Sequence, residues 1–519
     1  MSRLDEAFLS EGVCSQSQPE QLAIVATLFG LTPTLPSRSR VLELGCAAGG
    51  NLIPLASRYP NAAFLGIDSR PDYVDAGRQT INALGLKNIK LYHADFTALR
   101  PSKQKFDYII CRDRYSRVPQ SAQNSVLNVI RDNLAERGVA FVSYHTYPGW
   151  KQREIVRDAM SFQLGTSDQH GQDIHRAREV FALLQTATVP SSSFGKMLHD
   201  EATRVTGTPA ATFYREYFDE TIRPCYFREF IGRAQENRLG FLGEASITDL
   251  APSRMSGAVA EALKKLSRGN ILETQQYLDF FRNRTFRQTL LIHREAMKRV
   301  KRTISPTSLQ PFLFSCALAP TNRAALANEE ATEFCDPIGR TVEVMIPAVK
   351  SMLLVFSEAY PFPLTFDALL IGIRKHLGLD IGAAQTEFHK IGDVLLSFTL
   401  EGAVRLHLEP TASTDLDPRQ PMAFSPARYL ALKKRLTVPN QHHENIALSE
   451  IDARILALLD GKTQKDELIR ILVALTVRGE LTLMRDNIRL SESEEIFPVV
   501  EKLLAESLKK FRWLALLVD

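Results

Sequence analysis

A glycine-rich turn that follows an acidic residue is the part of this sequence best suited to holding a ligand. In the stretch RVLELGCAAGGNLIPLA, residues 40–56, Glu43, Gly45 and Gly49 have the spacing E-x-G-x-x-x-G between two apolar runs. The pattern predicts a strand, a tight turn and the start of a helix, and such a turn offers backbone N–H groups to a polar or anionic ligand. Because glycine lets the backbone approach a neighbour closely, we expect a binding site here.

Three classes of ligand compete for such a turn, and the residues around its end separate them. A phosphate-binding loop ends in Gly-Lys-Ser/Thr, whereas this chain has Gly49, Gly50 and Asn51. A dinucleotide site needs a glycine where Ala47 stands, so that the backbone can reach the pyrophosphate. S-Adenosylmethionine has no phosphate, and its binding turn follows an acidic residue with the spacing seen here. The turn therefore predicts an S-adenosylmethionine site.

Two further acids end the next two predicted strands, Asp68 in LGIDSR and Asp95 in YHADF. A carboxylate at the first position can accept hydrogen bonds from both ribose hydroxyls, and one at the second can meet the adenine amino group. Each acid alone is equally typical of a helix cap. Because the carboxyl ends of parallel strands share one sheet edge, Glu43 and the two aspartates together favour a nucleoside-binding cleft.

These residues need a parallel sheet to bring them together, and region 39–146 predicts one. Short apolar runs alternate with amphipathic stretches, as strands alternate with helices in a doubly wound domain. The predicted strands are RVLELG, AAFLGID, IKLYHAD, FDYIICR and GVAFVSYHT, and the predicted helices are NLIPLASRYP, PDYVDAGRQTINALG and PQSAQNSVLNVIRDNLAERG. Pro119 begins the last helix and Gly138 follows its end. We expect a Rossmann-like α/β fold.

Beyond residue 150, apolar residues recur at helical spacing and predict a mainly helical middle region. Its helical blocks include 214–245 and 275–302, and VPSSSFG, residues 189–195, predicts an exposed loop. A basic run near the end of this region favours the solvated face of one long helix over a docking site for an acidic protein. Its members are Arg282, Arg284, Arg287, Arg294, Lys298, Arg299, Lys301 and Arg302.

A polar, proline-rich stretch, residues 408–426, predicts a linker or long loop before a small helix-rich terminal region. In that region the segments RGELTL and NIRL predict a short hairpin, which gives a winged-helix shape. The apolar character of TQKDELIRILVALTVRGE argues against DNA recognition. We predict three domains: a ligand-binding α/β domain over 1–200, a helical domain over 201–430 and a winged-helix-like domain over 431–519.

Composition limits the partners. The 519 residues carry 63 basic and 59 acidic side chains, a net charge of +4 that is too even to indicate nucleic acid. No apolar run approaches the roughly 20 residues of a membrane span, and the amino terminus lacks a signal-peptide pattern. The six cysteines include no C-x-x-C pair, which argues against metal sites and disulfides. We expect a cytoplasmic protein, and its oligomeric state, a homodimer included, stays open.

A family resemblance follows from the motifs VLELGCAAGGN, GID, ADF, FDYII, GVAFVSYHTYPGW, FLGEA and NRTFRQTLLIHRE. Together they resemble the bacterial class I methyltransferases that carry a methyltransferase regulatory domain. The resemblance spans nearly the whole chain, and the characterised branch methylates lysine side chains of bacterial surface proteins. It implies an S-adenosylmethionine-dependent protein-lysine methyltransferase with a protein substrate. The cofactor-binding residues it implies, with their neighbours, are Glu43, Gly45, Cys46, Ala47, Gly49, Asn51, Asp68, Ser69, Asp95, Phe96 and Cys111.

Methyl transfer to lysine needs an aligned acceptor nitrogen that has lost its proton. Aromatic and polar residues near the ends of the fourth and fifth strands can form a wall that holds the alkyl stem and favours a methylated cation. The candidate catalytic residues are Tyr115, Tyr144, His145, Tyr147 and Trp150. Each alone is more typical of a packing residue. His145 is either a general base or a structural residue, and Asp113 is a weaker candidate.

The chain departs from the family at the segment RDRYSRVP, residues 112–119, where HGVYSWVP is typical. Arg112, Asp113 and Arg117 replace His, Gly and Trp there, and Ala48 replaces a common aspartate in the glycine turn. We expect these changes to leave cofactor binding intact and to affect the acceptor. Two alternatives therefore stay open, a small-molecule acceptor and a binding protein that senses the cofactor through a degenerate site.

Overall fold

A central sheet of seven strands organises the first part of the computed structural model. The described residues are 12–164, 170–206, 213, 217, 222–250, 256–322, 330–336, 339–378, 385–410, 419–485, 488–489 and 492–518. The strands of the central sheet are β1 (Arg40–Leu44), β2 (Ala63–Asp68), β3 (Ile89–His93), β4 (Phe106–Cys111), β5 (Leu134–His145), β6 (Leu239–Glu244) and β7 (Phe286–His293).

The strand order is β3-β2-β1-β4-β5-β7-β6. The first five strands are parallel, and β7 runs antiparallel between β5 and β6. The direction of winding reverses between β1 and β4, and ligands of such sheets bind outside the carboxyl ends of the strands at that point. The five strands predicted from the sequence are therefore confirmed, and they place the glycine turn at the switch point.

Helices cover both faces of this part of the sheet. They are α1 (Pro19–Leu28), α2 (Leu52–Arg58), α3 (Pro71–Ala83) and α4 (Gln120–Asn133). The predicted helix before Gly138 is shorter than expected, because Leu134 leaves the helix, pairs with Phe106 of β4 and is 2% exposed. Burial of that leucine against the sheet outweighs the helical preference of the following residues.

Both faces of the sheet are buried, as a parallel sheet between helices requires. Val41 and Phe141 belong to the hydrophobic cluster on one face, and their neighbours Leu42 and Val142 belong to the cluster on the other. Each fully buried side chain of this size contributes about 1.5–3 kcal/mol. The core therefore holds β1 rigidly, and with it the start of the glycine turn.

The predicted helical block 275–302 is wrong in its second half, because its residues 286–293 form β7. Arg287, predicted on a solvated helix face, is 1% exposed and lies within the sheet. Its guanidinium contacts Asp279 at 2.8 Å and Glu244 at 2.6 Å, and both carboxylates are buried. Arg302 of the same basic run donates to the Phe241 carbonyl at 2.5 Å. Strand pairing and these buried bonds override the charge pattern.

Within the described residues, the chain between β5 and β7 contains six helices: α5 (Trp150–Leu164), α6 (His170–Ala187), α7 (Ser193–Thr206), α8 (Phe227–Glu236), α9 (Gly257–Leu266) and α10 (Ile271–Arg282). The predicted loop 189–195 is confirmed in its first residues, and α7 begins at Ser193. The predicted division at residue 200 remains a prediction. However, β6 and β7 come from the stretch predicted as the helical domain and complete the sheet of the first.

The region that follows, residues 313–407, contains small sheets and, among its described residues, three helices. Its strands are β8 (Leu313–Cys316), β9 (Ala319–Pro320), β10 (Thr332–Cys335), β11 (Thr341–Val344), β12 (Leu364–Thr365) and β13 (Val404–His407). Its helices are α11 (Pro347–Ala359), α12 (Phe366–Leu377) and α13 (Gln385–Leu400). A hydrophobic cluster of its own, with Phe314, Met352 and Leu395 fully buried, holds this region together and also includes Leu28 of α1.

The terminal region has the elements β14 (Met422–Ala423), α14 (Ser425–Leu432), β15 (Thr437–Pro439), β16 (Asn445–Ala447), α15 (Glu450–Leu458), α16 (Lys465–Val477), β17 (Met484–Arg485), β18 (Ile488–Arg489), α17 (Ser493–Trp513) and β19 (Leu517–Val518). The antiparallel pair β17–β18 confirms a hairpin here, but its first strand lies just after the predicted segment RGELTL rather than within it. Residues 411–418 of the predicted linker lie outside the described residues. Within the described part of the chain, none of the helices has the length and apolar composition needed to cross a bilayer.

Candidate active site

The glycine turn is fixed to the end of β2 by backbone hydrogen bonds. The N–H groups of Gly45 and Cys46 donate to the Ile67 carbonyl at 2.8 and 3.1 Å. Gly45 and Gly49 have φ values of +75° and +77°, in the left-handed region that favours glycine. Ala47 also adopts a positive φ, +47°. The predicted turn is therefore a real bend with a fixed geometry, and its two motif glycines are conformationally required.

Asp68 is held against this turn at the end of β2. Its Oδ2 accepts from the Ala47 N–H at 2.8 Å, and its Oδ1 accepts from the Arg70 N–H at 2.9 Å. The residue is 4% exposed. The bond from Arg70 is the local turn expected of a cap, and the bond from Ala47 links the acid to the glycine turn. Each oxygen keeps a further lone pair, so the carboxylate is oriented and still able to accept.

Asn51 connects the turn to the acid that precedes it. Its Nδ2 donates to Glu43 Oε1 at 3.1 Å, and its Oδ1 accepts from the Cys14 N–H at 3.1 Å. Glu43 and Asn51 are each 1% exposed. Asn51 precedes α2, but its side chain makes no helix-capping bond. The asparagine therefore orients Glu43 and fastens the amino-terminal segment to the turn.

The remaining predicted cofactor residues lie farther along the same edge. Asp95 is exposed and accepts from the N–H and the hydroxyl of Thr97 at 2.8 and 2.7 Å, which caps a short turn. Ser69 is exposed beside Asp68, whereas Phe96 and Cys111 are buried. Burial raises the pKa of the Cys111 thiol to about 12. Cys111 is therefore a neutral packing residue at the end of β4.

Two arginines of the segment 112–119 lie next to the glycine turn, which is the cofactor turn expected from the sequence. Arg114 Nε donates to the Gly45 carbonyl at 3.1 Å, and its Nη2 lies 3.9 Å from Asp68 Oδ2. A Cβ added at residue 45 would lie 2.7 Å from Arg114 Nε, so the arginine runs across the glycine. Arg112 Nε lies 4.0 Å from Glu43 Oε1. The sequence analysis expected this segment to affect the acceptor. The signal that it missed is that Arg112 and Arg114 carry charges opposite to those of Glu43 and Asp68.

The aromatic residues predicted as an acceptor wall separate into two groups. Tyr115 and Tyr144 are fully buried and pack on Phe230 of α8, with ring centroids 5.0 and 4.1 Å from it. Both belong to the hydrophobic core under the sheet. Burial raises the pKa of the Tyr144 hydroxyl well above its usual value. These two tyrosines therefore pack in the core, and the catalytic role expected for them stays a prediction.

His145 and Trp150 form a pair of tilted rings in contact, next to Asp113. Their ring centroids are 4.0 Å apart, and both residues are buried. His145 Nε2 lies 3.6 Å from Asp113 Oδ1, and the Asp113 side chain is 30% exposed. The structure therefore brings the general-base candidate and the weaker candidate together, with the carboxylate as the more open group.

Tyr147 belongs to a half-buried aromatic pair that the sequence interpretation identified only in part. Its ring lies 5.3 Å from that of Tyr226, and the ammonium of Lys151 lies 5.4 and 5.9 Å from the two ring centroids. The Tyr147 hydroxyl donates to Glu154 Oε1 at 2.7 Å. Burial and the Glu154 carboxylate raise the pKa of Tyr147. The pair is an aromatic face that accommodates an alkylammonium group.

The residues at the cofactor edge fit the groups of S-adenosylmethionine. Buried carboxylates suit ribose hydroxyls and a cationic amino-acid end, and the turn lacks the lysine with which a phosphate loop ends. The side chain of Arg114 runs across the turn, and its charge opposes a sulfonium. In the described part of the chain, no group of three or more His, Cys, Asp or Glu side chains is placed to hold a metal ion.

Three protein-family models match the chain in consecutive regions. A methyltransferase domain matches residues 35–184, a predicted methyltransferase regulatory domain matches residues 210–293, and the C-terminal winged-helix domain of PKMT matches residues 420–516. The first match covers the glycine turn and the aspartates. The third covers the region with the β17–β18 hairpin.

The similarity to known proteins extends over nearly the whole chain. An uncharacterized protein of Rickettsia prowazekii, RP789, is 30% identical over 516 residues, which cover 97% of this chain and 91% of that protein. The structure of PKMT2 from Rickettsia typhi in complex with AdoHcy has a TM-score of 0.88 at 27% identity and covers 98% of this chain and 99% of that one. A second PKMT2 structure gives a TM-score of 0.89. The chain belongs to the family of methyltransferases that combine a methyltransferase domain, a regulatory domain and a PKMT-type winged-helix domain.

Proposed function

We propose that the protein uses S-adenosylmethionine to methylate lysine side chains of a protein substrate. The observation that carries the proposal is the sheet edge beside the glycine turn, where three acids lie at the carboxyl ends of neighbouring strands: Glu43 within β1, Asp68 as the last residue of β2 and Asp95 just beyond β3. The likeness to PKMT2, solved in complex with AdoHcy, supports the cofactor. The match to the PKMT winged-helix domain supports lysine as the acceptor.

The chain's own residues divide the task of holding the cofactor. The oriented Asp68 carboxylate would accept from the ribose hydroxyls, and Asp95 would meet the adenine amino group. Glu43, oriented by Asn51, would face the cationic amino-acid end. When bound, the cofactor supplies a methyl group on a sulfonium. Rigid backbone bonds hold the turn and Asp68, so binding needs little reorganisation of the backbone at this edge.

The acceptor side would hold the lysine stem on the Tyr147–Tyr226 face. Lys151 already lies across both rings, so the spacing of the pair suits an alkylammonium. An ammonium cannot attack the methyl group, and its proton must leave before transfer. The Asp113 carboxylate, with His145 behind it, offers a proton acceptor on the neighbouring strand end.

A transfer assay with labelled S-adenosylmethionine tests the lysine proposal. Lysine-containing fragments of bacterial surface proteins should gain methyl groups, and the same fragments with arginine in place of lysine should not. Tyr226→Ala should raise KM for the fragment about tenfold or more, whereas Tyr226→Phe keeps the ring and should stay near the native value. Transfer only to small molecules would replace the protein substrate with a metabolite. Cofactor binding without transfer to any acceptor would favour the sensing alternative.

We also propose a reducing, cytoplasmic compartment for this chain. All six cysteines are free thiols, and four of them are buried. Unpaired buried thiols are typical of proteins that work where thiols stay reduced. Fractionation of cells that express the full chain would test the compartment directly.

A further inference from the structure

A buried histidine of the terminal winged-helix region reaches the cofactor turn. His443 lies in the turn between β15 and β16, is 1% exposed and has a φ of +59°. Its Nε2 lies 2.8 Å from Asn51 Oδ1, across a separation of 392 residues. Few residues other than glycine adopt such a φ, so the surrounding contacts hold the histidine in this conformation.

The partners of Asn51 assign the direction of this hydrogen bond. Asn51 Oδ1 also accepts from the backbone N–H of Cys14, which fixes which end of the amide is the oxygen. The imidazole must therefore donate from Nε2–H to the same oxygen. Burial lowers the pKa of His443 well below its usual value, with smaller contributions from Arg112 and Arg58, so the ring is neutral. A neutral ring with its proton on Nε2 is the tautomer that the contact requires.

A second set of bonds aligns the same turn with the amino-terminal segment. The Asn445 side chain accepts from the Val13 N–H at 3.2 Å and donates to the Val13 carbonyl at 2.9 Å. A Cβ at residue 12 would lie 2.5 Å from Asn445 Oδ1, so Gly12 permits this close approach. The amino-terminal segment is thus held between the cofactor turn and the terminal region, and His443 completes the contact on Asn51.

We propose that His443 is a positioning residue of the cofactor site, which orients Asn51 and, through its Nδ2, the Glu43 carboxylate. The proposal rests on the proposed use of S-adenosylmethionine. It assigns the winged-helix region a role in forming the methyltransferase site. Asn51 makes the bond to Glu43 at 3.1 Å, so a rotation of its amide would turn a donor into an acceptor opposite a buried carboxylate.

Calorimetric titration of the full chain with S-adenosylmethionine, and separately with S-adenosylhomocysteine, tests the proposal. His443→Ala should weaken binding of both ligands about tenfold. His443→Gln keeps an N–H donor at nearly the position of Nε2 and should restore most of the affinity. A merely structural role predicts no such rescue. Equal affinity of the native chain and His443→Ala, with both folded by circular dichroism, would overturn the proposal.

A control variant and a double-mutant cycle test whether the effect of His443 on affinity comes from its contact with Asn51. Ser425→Ala removes another contact between the terminal region and the methyltransferase domain, the 2.9 Å bond to Ser57, without touching Asn51. Its affinity should match the native value. In a double-mutant cycle, Asn51→Ala with His443→Ala should bind no more weakly than Asn51→Ala alone. If the losses of affinity in the two single variants add fully in the double variant, His443 does not act through Asn51, and the proposal is overturned. A native chain that binds neither ligand would instead overturn the proposed function.

Discussion

Two parts of the same sheet hold their side chains by different means. They are the cofactor edge, at the ends of β1 and β2, and the acceptor edge, at the ends of β4 and β5. At the ends of β1 and β2, the Asp68 carboxylate is fixed by the N–H groups of Ala47 and Arg70, which belong to the local turns. At the ends of β4 and β5, the Tyr144 ring is fixed by stacking on Phe230 from α8. Local backbone bonds therefore define the first edge, and packing between distant segments defines the second.

This difference indicates which perturbations each edge can tolerate. Changes in α8, β6 or β7 should disturb the acceptor edge strongly, because its core depends on those elements. The cofactor turn should keep its shape under the same changes, since its bonds join β1 to β2. Longer-range contacts also reach this edge, among them the bond from Arg114 to the Gly45 carbonyl and the His443 contact, which connects the cofactor edge to the terminal region.

The largest expected effect comes from removing the buried arginine behind the acceptor edge. Arg287→Ala would remove the cation in direct contact with the buried Asp279 and Glu244 carboxylates and leave them Arg284, which lies 3.5 Å from each. Such a loss costs about 3–5 kcal/mol of unfolding free energy. Urea unfolding would measure it, and the remaining folded protein should bind S-adenosylmethionine with nearly native affinity. A weakened cofactor site in the folded fraction would contradict the independence of the two edges.

Arg282 supplies the matched control for that experiment. It forms a partly exposed ion pair with Asp249 at 3.1 Å, and both side chains are about 30% exposed. Such pairs contribute up to about 1 kcal/mol. Arg282→Ala should therefore destabilise the protein far less than Arg287→Ala. Equal losses would show that burial of the network contributes nothing.

Acid should destabilise the contact between the cofactor edge and the terminal region. Burial lowers the pKa of His407 to about 4 and those of His442 and His443 well below 6.5. The unfolded chain takes up protons below pH 6.5 and the folded chain does not, so stability falls as the pH falls through this value. Between pH 7.5 and 5.5 each histidine should contribute a loss of about 1–1.5 kcal/mol.

Comparison with a glutamine variant isolates this contribution from other titrating groups. His442→Gln removes one titrating ring, while the remaining groups titrate in both proteins. The difference in unfolding free energy between pH 7.5 and 5.5 should therefore be about 1 kcal/mol smaller in the variant. Chemical denaturation at the two pH values gives this difference. Identical pH dependence would mean that the pKa of His442 is the same in the folded and the unfolded chain.

Two aspartates of the cofactor edge should differ in their effect on binding. Asp68 is buried and oriented by two backbone N–H groups, whereas Asp95 is exposed and caps a short turn. Asp68→Ala should weaken S-adenosylmethionine binding about tenfold to a hundredfold, since charged hydrogen bonds contribute about 1.5–3 kcal/mol each. Asp95→Ala should weaken it less. Calorimetric titration measures both, and a larger effect at Asp95 would reverse the assignment.

The sequence allowed correct prediction wherever the determining contacts are local. The E-x-G-x-x-x-G spacing implied the turn at Gly45 and Gly49, because positive φ values at such positions favour glycine. Asp68 was identified because it ends a strand that pairs with β1. The five parallel strands followed from alternating apolar runs. In each case the signal lies within a few residues of the feature.

Prediction failed where partners come from far along the chain. The stacking of Tyr144 on Phe230 was not predicted, because nothing near Tyr144 in sequence indicates Phe230. Arg287 was placed on a solvated face because its charge pattern resembles that of a helix surface, and its acidic partners belong to β6 and α10. His443 gave no sequence signal, since its partner Asn51 is 392 residues away. Long-range pairing decides such positions.

The smallest expected effect concerns Arg114, where the segment that departs from the family meets the cofactor edge. Its side chain runs across Gly45 and lies 3.9 Å from Asp68, and it is 22% exposed. A nucleoside bound at Asp68 would have to displace it, and a guanidinium also disfavours a sulfonium. Such a partly exposed pair contributes up to about 1 kcal/mol. Arg114→Ala should therefore strengthen S-adenosylmethionine binding up to about fivefold.

Two ligands separate the steric and the charge contributions of Arg114. S-Adenosylhomocysteine lacks the sulfonium charge, so its affinity should rise less than that of S-adenosylmethionine in Arg114→Ala. Arg114→Gln keeps most of the stem without the charge, so the gain that it retains measures charge repulsion alone. Calorimetric titration of both ligands with the three proteins gives these differences. Weaker binding of both ligands to Arg114→Ala would mean that the guanidinium holds the carboxylate of the cofactor, and the arginine would then belong to the cofactor edge as a ligand.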